Sequence, residues 1–271
     1  MIVLICLCAA GDVPTDAAFP LLDDGVAVRT LAVGDRIAAL VADVPEAMFL
    51  GAAAEQRLQD AEWLRDRAIA HEAIVRAASA CGPVLPVPFG TVFVGEASLS
   101  ERLLASSEAV CSFFDAVRGC DEYSVRAVVD MSRAAEQAAT KRGATAAMSP
   151  GQQYLQRARL KRSGDGELAE YLEELTERIE GCIEPLCQDL VRRDVVDRGD
   201  EGSRIVLHAA VLTSDLDRLS AGLEQIADEV TAGAGGVDFE VTGPWPPYSF
   251  TPRLDDSTPD PAHASMQEVT N

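Results

Sequence analysis

The sequence predicts an α+β protein of two domains, the C-terminal one a modified ferredoxin-like fold with an enlarged helical crossover. Three observations point there. Apolar residues alternate in some stretches and recur at helical spacing in others, so both element types are expected. At 271 residues the chain is near the size at which single cores divide. From Glu122 the order reads strand, helices, strand, strand, helix, strand, which is the split βαβ arrangement. The expected parts are an α+β domain over residues 1–119, the ferredoxin-like domain with its helical insertion over residues 120–252, and a disordered tail over residues 253–271.

Ile2 to Cys8 is an apolar run and reads as a buried strand. It ends in small residues like a signal peptide, but it is short, has no Lys or Arg ahead of it, and leads into further strand-like sequence. Asp12 to Gly25 carries prolines, aspartates and glycines and reads as a loop. Val26 to Val33 alternates, Gly34-Asp35 suits a hairpin turn, and Arg36 to Ala42 returns as an apolar strand. Gln56 to Ala80 predicts one helix, with Leu64, Ala68, Val75 and Ala78 on its inner face. His71 lies on that face and is expected to be a satisfied core histidine.

In Pro83 to Val94, Pro86 and Pro88 stand two apart, so their missing donors fall along one strand edge. That edge cannot be fully paired, and an outer strand, or one starting after Pro88, is expected. Ser98-Leu99-Ser100-Glu101 reads as a capping box opening a helix whose stripe of Leu99, Leu103, Val110, Phe114 and Val117 ends before Gly119.

Glu122 to Asp130 has period two, with Tyr123, Val125, Ala127 and Val129 inward and Glu122, Ser124, Arg126 and Asp130 outward. The helical region that follows is expected to break near Lys141 to Ala147 and to restart at Ser149-Pro150-Gly151-Gln152. It carries basic Arg157, Arg159, Lys161 and Arg162. After Gly164-Asp165-Gly166 the sign reverses, with Glu170, Glu173, Glu174 and Glu177 around an apolar stripe, and both charge runs are read as solvated faces. Leu190 to Val196 is strand-like, and Arg204 to Thr213, apolar on both faces, is a central strand with His208 in the core. Ser214 is expected to cap a helix through Val230, and Val237 to Thr242 is the last strand.

That strand runs into Gly243-Pro244-Trp245-Pro246-Pro247-Tyr248-Ser249-Phe250. Three prolines argue for polyproline II, which would set Trp245 and Tyr248 on one side of a stiff ribbon. Of the chain's aromatic residues, Trp245, Tyr248 and Phe250 fall within this one segment and are the candidate structural or partner-binding residues. The rings are received either by the protein's own surface, with the ribbon returning across the N-terminal domain, or by a partner met at low entropic cost.

Composition excludes several classes. Hydrophobic content of 48% with 25% charged residues fits a soluble globular chain rather than a disordered one. A net charge of −21 argues against nucleic acid and anionic membrane, which need a basic footprint. No stretch has the length and apolarity of a membrane span. Seven cysteines without zinc-type spacing fit buried small hydrophobes in a reducing cytoplasm. No phosphate-loop, nucleophile-elbow or zinc-protease motif occurs, and three histidines, one of them in the tail, leave little material for a triad or metal cage. Catalytic residues, cofactor and metal are therefore all expected to be none.

The segments His71-Glu72, Val84-Leu85-Pro86-Val87-Pro88-Phe89-Gly90-Thr91-Val92-Phe93, Gly151-Gln152-Gln153-Tyr154-Leu155 and Thr242 to Phe250 together resemble the gas vesicle protein L/F family (GvpL/GvpF). The resemblance spans nearly the whole chain to Phe250, and the last segment is the most specific. Pro88 stands where the family more often has a basic residue, and Ile2 to Cys8 lacks the tyrosines common in the family's first strand. The resemblance implies a cytoplasmic, non-enzymatic accessory protein of gas vesicle assembly that binds the hydrophobic shell protein GvpA and other vesicle proteins. A competing class is a small-molecule-binding regulator, since ferredoxin-like domains host ligands and fold alone does not decide function.

Overall fold

A computed structural model describes residues 1–14, 17–141, 150–195, 202–232 and 236–254. Its contacts group into two compact units, residues 1–119 together with the chain from Trp245, and Cys120–Pro244. Residues 245–252 thus group with the first unit, although sequence order attaches them to the second. The tail expected from residue 253 lies outside the described residues beyond Leu254.

The first unit is built on β1 (Ile2–Ala9), whose first seven residues are all buried. An apolar run of this kind needs cover on both faces. β2 (Val28–Val33) and β3 (Ile37–Asp43) form an antiparallel hairpin over Gly34, which takes φ +60°. β1 pairs antiparallel with β3 from Ile2 opposite Asp43 to Ala9 opposite Ile37, with a bulge between Leu4 and Cys6. The expected single helix at residues 56–80 is two. α1 (Ala52–Leu58) ends before Asp60, whose carboxylate accepts from the Glu62 and Trp63 amides at 3.0 and 3.2 Å and starts α2 (Ala61–Ser79). α2 buries Ile74, Val75 and Ala78 in the cluster that holds Val3, Cys6 and Cys8 of β1, whereas Ala68, expected on the inner face, is exposed, because only the C-terminal half of α2 lies over the core.

The proline edge is an outer strand in two pieces. β4 (Val84–Pro86) pairs with Cys6–Cys8 and β5 (Val92–Phe93) with Ile2–Val3, both along one side of β1. The resulting five-stranded sheet has the order β2-β3-β1-β4, with β5 on β1. The expected capping box does not cap: α3 (Glu96–Ala105) begins after Gly95, and the Ser98 hydroxyl donates back to the Gly95 carbonyl at 3.0 Å. A break at Ser106 separates it from α4 (Ser107–Val117).

In the second unit, β6 (Asp121–Asp130) is followed by α5 (Met131–Lys141) and α6 (Pro150–Ile183). The restart cap at Ser149 lies outside the described residues, and α6 continues through Gly164-Asp165-Gly166. β7 (Asp189–Arg192), β8 (Ser203–Thr213), α7 (Leu216–Ala232) and β9 (Val237–Trp245) complete it, in the sheet order β7-β8-β6-β9. β7 is shorter than the expected strand. α7 is capped by Asp215 rather than Ser214, its carboxylate accepting from the Arg218 amide at 2.9 Å. Val125, Ala127, Val129, Leu207 and Val211 of the sheet share a core with Leu175 and Ile179 of α6 and Leu219 and Leu223 of α7. Both sheets are antiparallel where their register is described. No helix among the described residues is long and apolar enough to cross a membrane.

The proline ribbon is not polyproline II. Gly243 to Trp245 extend β9, which is possible because β9 is an edge strand whose outer side needs no donor from Pro244. The chain then turns tightly: Pro247 has φ −77° and ψ 57°, and the Tyr248 amide donates to the Pro246 carbonyl at 2.8 Å. Tyr248–Phe250 forms a single 3₁₀ turn.

Candidate functional site

α2 organises the site because successive residues on a helix face different ways. His71 points inward and is 4% exposed. Its ring lies edge-on to Phe89 at 5.8 Å between centroids, Phe89 meets Phe49 at 6.3 Å, and Phe49 meets Trp63 at 6.4 Å. The ring hydrogen-bonds the Ile5 backbone, yet Nε2 is buried without a partner. The histidine is core, as its position on the helix implies, but only half satisfied. Burial holds its pKa below the ordinary histidine value, against the pull of neighbouring Glu72 and the Ile5 bond.

Glu72 and Arg76 lie on the outer side of the same helix, one turn apart, and pair at 3.3 Å. The Tyr248 hydroxyl donates to Glu72 Oε2 at 2.7 Å. The Arg76 guanidinium carbon sits 5.1 Å from the centre of the Trp245 ring, within cation–π range. Burial first, then the bond to Glu72 and its charge, push the Tyr248 phenol well above its ordinary pKa, so it stays a donor. Pro246 and Pro247 are buried, while Trp245 and Tyr248 remain 38% and 36% exposed. Ile69, one turn before Glu72 on the same face, is 61% exposed.

The structure thus brings Tyr248 onto Glu72 and Trp245 onto Arg76 on the outer side of α2, while His71 meets Phe89 on its inner side. Phe250 is half-buried in the 3₁₀ turn, its amide donating to the Pro247 carbonyl at 3.3 Å. Arg102 reaches the Leu254 carbonyl at 3.3 Å and holds the far end of the segment. Sequence reading missed Ile69 and Arg76. The signal was there in the spacing of 69, 72 and 76, which marks an outward stripe on the helix whose inner stripe was assigned. Gly151 to Leu155 lie in α6, away from this cluster in sequence, and their side chains are outside what is described.

The second unit carries a polar row on the sheet face opposite its helices. Glu122, expected to face solvent, is 1% exposed and pairs with Arg193. Ser124 Oγ lies 3.1 Å from His208 Nε2, and His208 Nδ1 faces the Asp194 carbonyl at 3.4 Å. His208 is therefore part of this row and not of the apolar core; burial, then Arg126 and Arg193, lower its pKa. A serine 7% exposed gives a substrate no approach, so the pair reads as structural. The Cys187 thiol is pushed up to about 11, by burial first, the reverse of what a nucleophile needs. Among the described residues no group of three or more His, Cys, Asp or Glu is placed to hold a metal.

The family model described as gas vesicle synthesis protein GvpL/GvpF matches residues 3–252. Gas vesicle protein L of Streptomyces sp. is 33% identical over 229 residues, covering 82% of this chain and 82% of that protein. Gas vesicle protein L1 of Halobacterium salinarum is 28% identical over 212 residues, covering 72% and 74%. Among solved structures, gas vesicle protein GvpF from Anabaena sp. superposes with a TM-score of 0.65 at 17% identity, covering 93% of this chain and 95% of that one. GvpF from Microcystis aeruginosa gives 0.62 at 14% identity, covering 93% and 98%. At those identities the two structures attest the fold alone.

Proposed function

The chain belongs to the gas vesicle synthesis protein GvpL/GvpF family, and from that premise we propose that it is a non-enzymatic accessory protein of gas vesicle assembly that binds the hydrophobic shell protein GvpA. A subunit destined for an apolar, gas-facing wall aggregates readily before assembly. An acidic protein of net charge −21 that covers part of it would keep the complex in cytoplasmic solution until the shell grows. Other vesicle proteins are expected to share its surface.

What supports this reading most is the ridge of Ile69, Tyr248 and Trp245 on α2 and the C-terminal segment. Three exposed apolar side chains stand beside a Glu72–Arg76 pair that cancels its own charge, on a strongly acidic chain. Rings held in advance by a carboxylate and a guanidinium lose little entropy on contact. The second unit we read as a modified ferredoxin-like domain. Its order of strand, two helices, two strands, helix, strand and its sheet order β7-β8-β6-β9 both support that, with α5 and α6 as the enlarged crossover.

The test is co-purification with GvpA. Ile69→Glu alters only an exposed side chain, so its melting temperature should match wild type while GvpA recovery falls at least about tenfold, as for an interface hot spot. Trp245→Ala should lose recovery and also some stability. Wild-type GvpA recovery by both folded variants would remove the ridge from the interface.

A further inference from the structure

The two sheets present four strand edges, and three of them are guarded. The β4 and β5 edge is broken by Pro86 and Pro88 and never runs beyond three residues. β7 is four residues long. β9 carries Asp238, Glu240 and Pro244. Short length, charge and proline are the devices that stop sheets from joining edge to edge.

β2 has no proline and no acidic residue, and its one charge, Arg29, is paired within the chain. Val28-Arg29-Thr30-Leu31-Ala32-Val33 contains no proline, glycine or acidic residue, and all six residues pair regularly with β3. Among the described residues no backbone hydrogen bond reaches it from the other side. Its single charge is already engaged: Arg29 pairs with Asp43 of β3 at 2.7 Å and with Glu96 of α3 at 2.9 Å. Thr30 and Ala32 are exposed.

We propose that this edge pairs antiparallel with the same edge of a second copy of the chain, joining two five-stranded sheets across a two-fold axis. An axis perpendicular to the sheet keeps each face with itself and sets one residue opposite its own counterpart, and centring on Thr30 or Leu31 pairs the greatest length of β2. With Thr30 on the axis, Arg29 lies opposite Leu31 of the partner subunit. With Leu31 on the axis, it lies opposite Val33 of the partner subunit. Neither register opposes like charges, which is what makes a second copy a fitting occupant. The obstacle is the net charge of −21 on each chain, which salt screens. The pairing therefore strengthens as salt rises, the opposite of an attachment held by opposite charges.

Sedimentation equilibrium of the full chain, from micromolar to submillimolar and from about 0.15 M to about 1 M salt, should show a weight-average mass rising from 28.8 kDa toward twice that value, further at high salt. Over the same range the amides of Val28–Val33 should exchange more slowly, a readout that needs no variant. The double variant Thr30→Lys, Ala32→Lys sets like charges across the axis and should weaken association at least about tenfold with an unchanged melting temperature. A constant 28.8 kDa at the highest concentration and salt overturns the proposal, as does association accompanied by unchanged exchange in β2. A folded double variant that associates like wild type overturns it too.

Discussion

His71 shows what a single buried group costs and how the cost can be read. Its ring touches Phe89 and the Ile5 backbone, and Nε2 has no partner, so replacement by Ala removes one bond and opens a cavity but relieves one unsatisfied atom. The net loss should be about 1–3 kcal/mol. Because burial lowers the folded pKa, the unfolded chain binds the proton first as pH falls. The stabilisation is present above about pH 6.5, the unfolded value, and is lost as pH falls from there through the lowered folded value. Thermal melts should show the midpoint falling over that window, with a smaller fall in His71→Leu. Equal falls in both would assign the effect to His208 or to carboxylates. At Trp245, an exposure of 38% rules out a closed pocket. The Ala variant should then lose about 1–3 kcal/mol instead of the 3–5 kcal/mol expected for a fully buried aromatic ring.

At the level of elements, β9 depends on one glycine. Gly243 takes φ +149°, and a Cβ there would lie 2.7 Å from Tyr123 Cδ1 and 2.9 Å from the Glu122 carbonyl oxygen of β6. Both the backbone conformation and the space exclude a side chain, so Gly243→Ala should cost about 2–4 kcal/mol. Gly119 has φ +73° with nothing within 4 Å of such a Cβ, and Gly119→Ala should cost only about 1–2 kcal/mol for the left-handed backbone. Denaturant titration of the two variants tests the difference. Equal costs would mean that β9 shifts away from Tyr123 without loss. The helix breaks follow a related logic: the apolar stripe of α1 with α2 reads continuously, yet Asp60 caps α2 through its carboxylate, a local polar bond that competes with the helix, whereas Ser106 separates α3 from α4 without a side-chain cap.

For the whole molecule, the first unit is completed by the last described residues of the chain. A variant ending at Pro244 loses the Tyr248–Glu72 bond, the Trp245–Arg76 contact and the Arg102–Leu254 bond together. Hydrogen exchange should quicken in α2 and α3 while the Cys120–Pro244 core keeps its protection. Equal loss in both units would show that they unfold as one. Periodicity and composition determined the α+β class, most strands, the proline-broken edge and the inward side of the C-terminal half of α2, because these depend on local pattern, while the family was legible as a resemblance carried by short specific segments. They did not determine that Glu122 is buried against Arg193, that Gly243 to Trp245 join a sheet edge, or that Tyr248 lands on Glu72, 176 residues earlier in the chain. Those outcomes required tertiary structure. A carboxylate's burial is set by the cation that folding brings to it, a proline's tolerance by whether its strand is at an edge, and an aromatic ring's partner by a chain reversal that no local window contains.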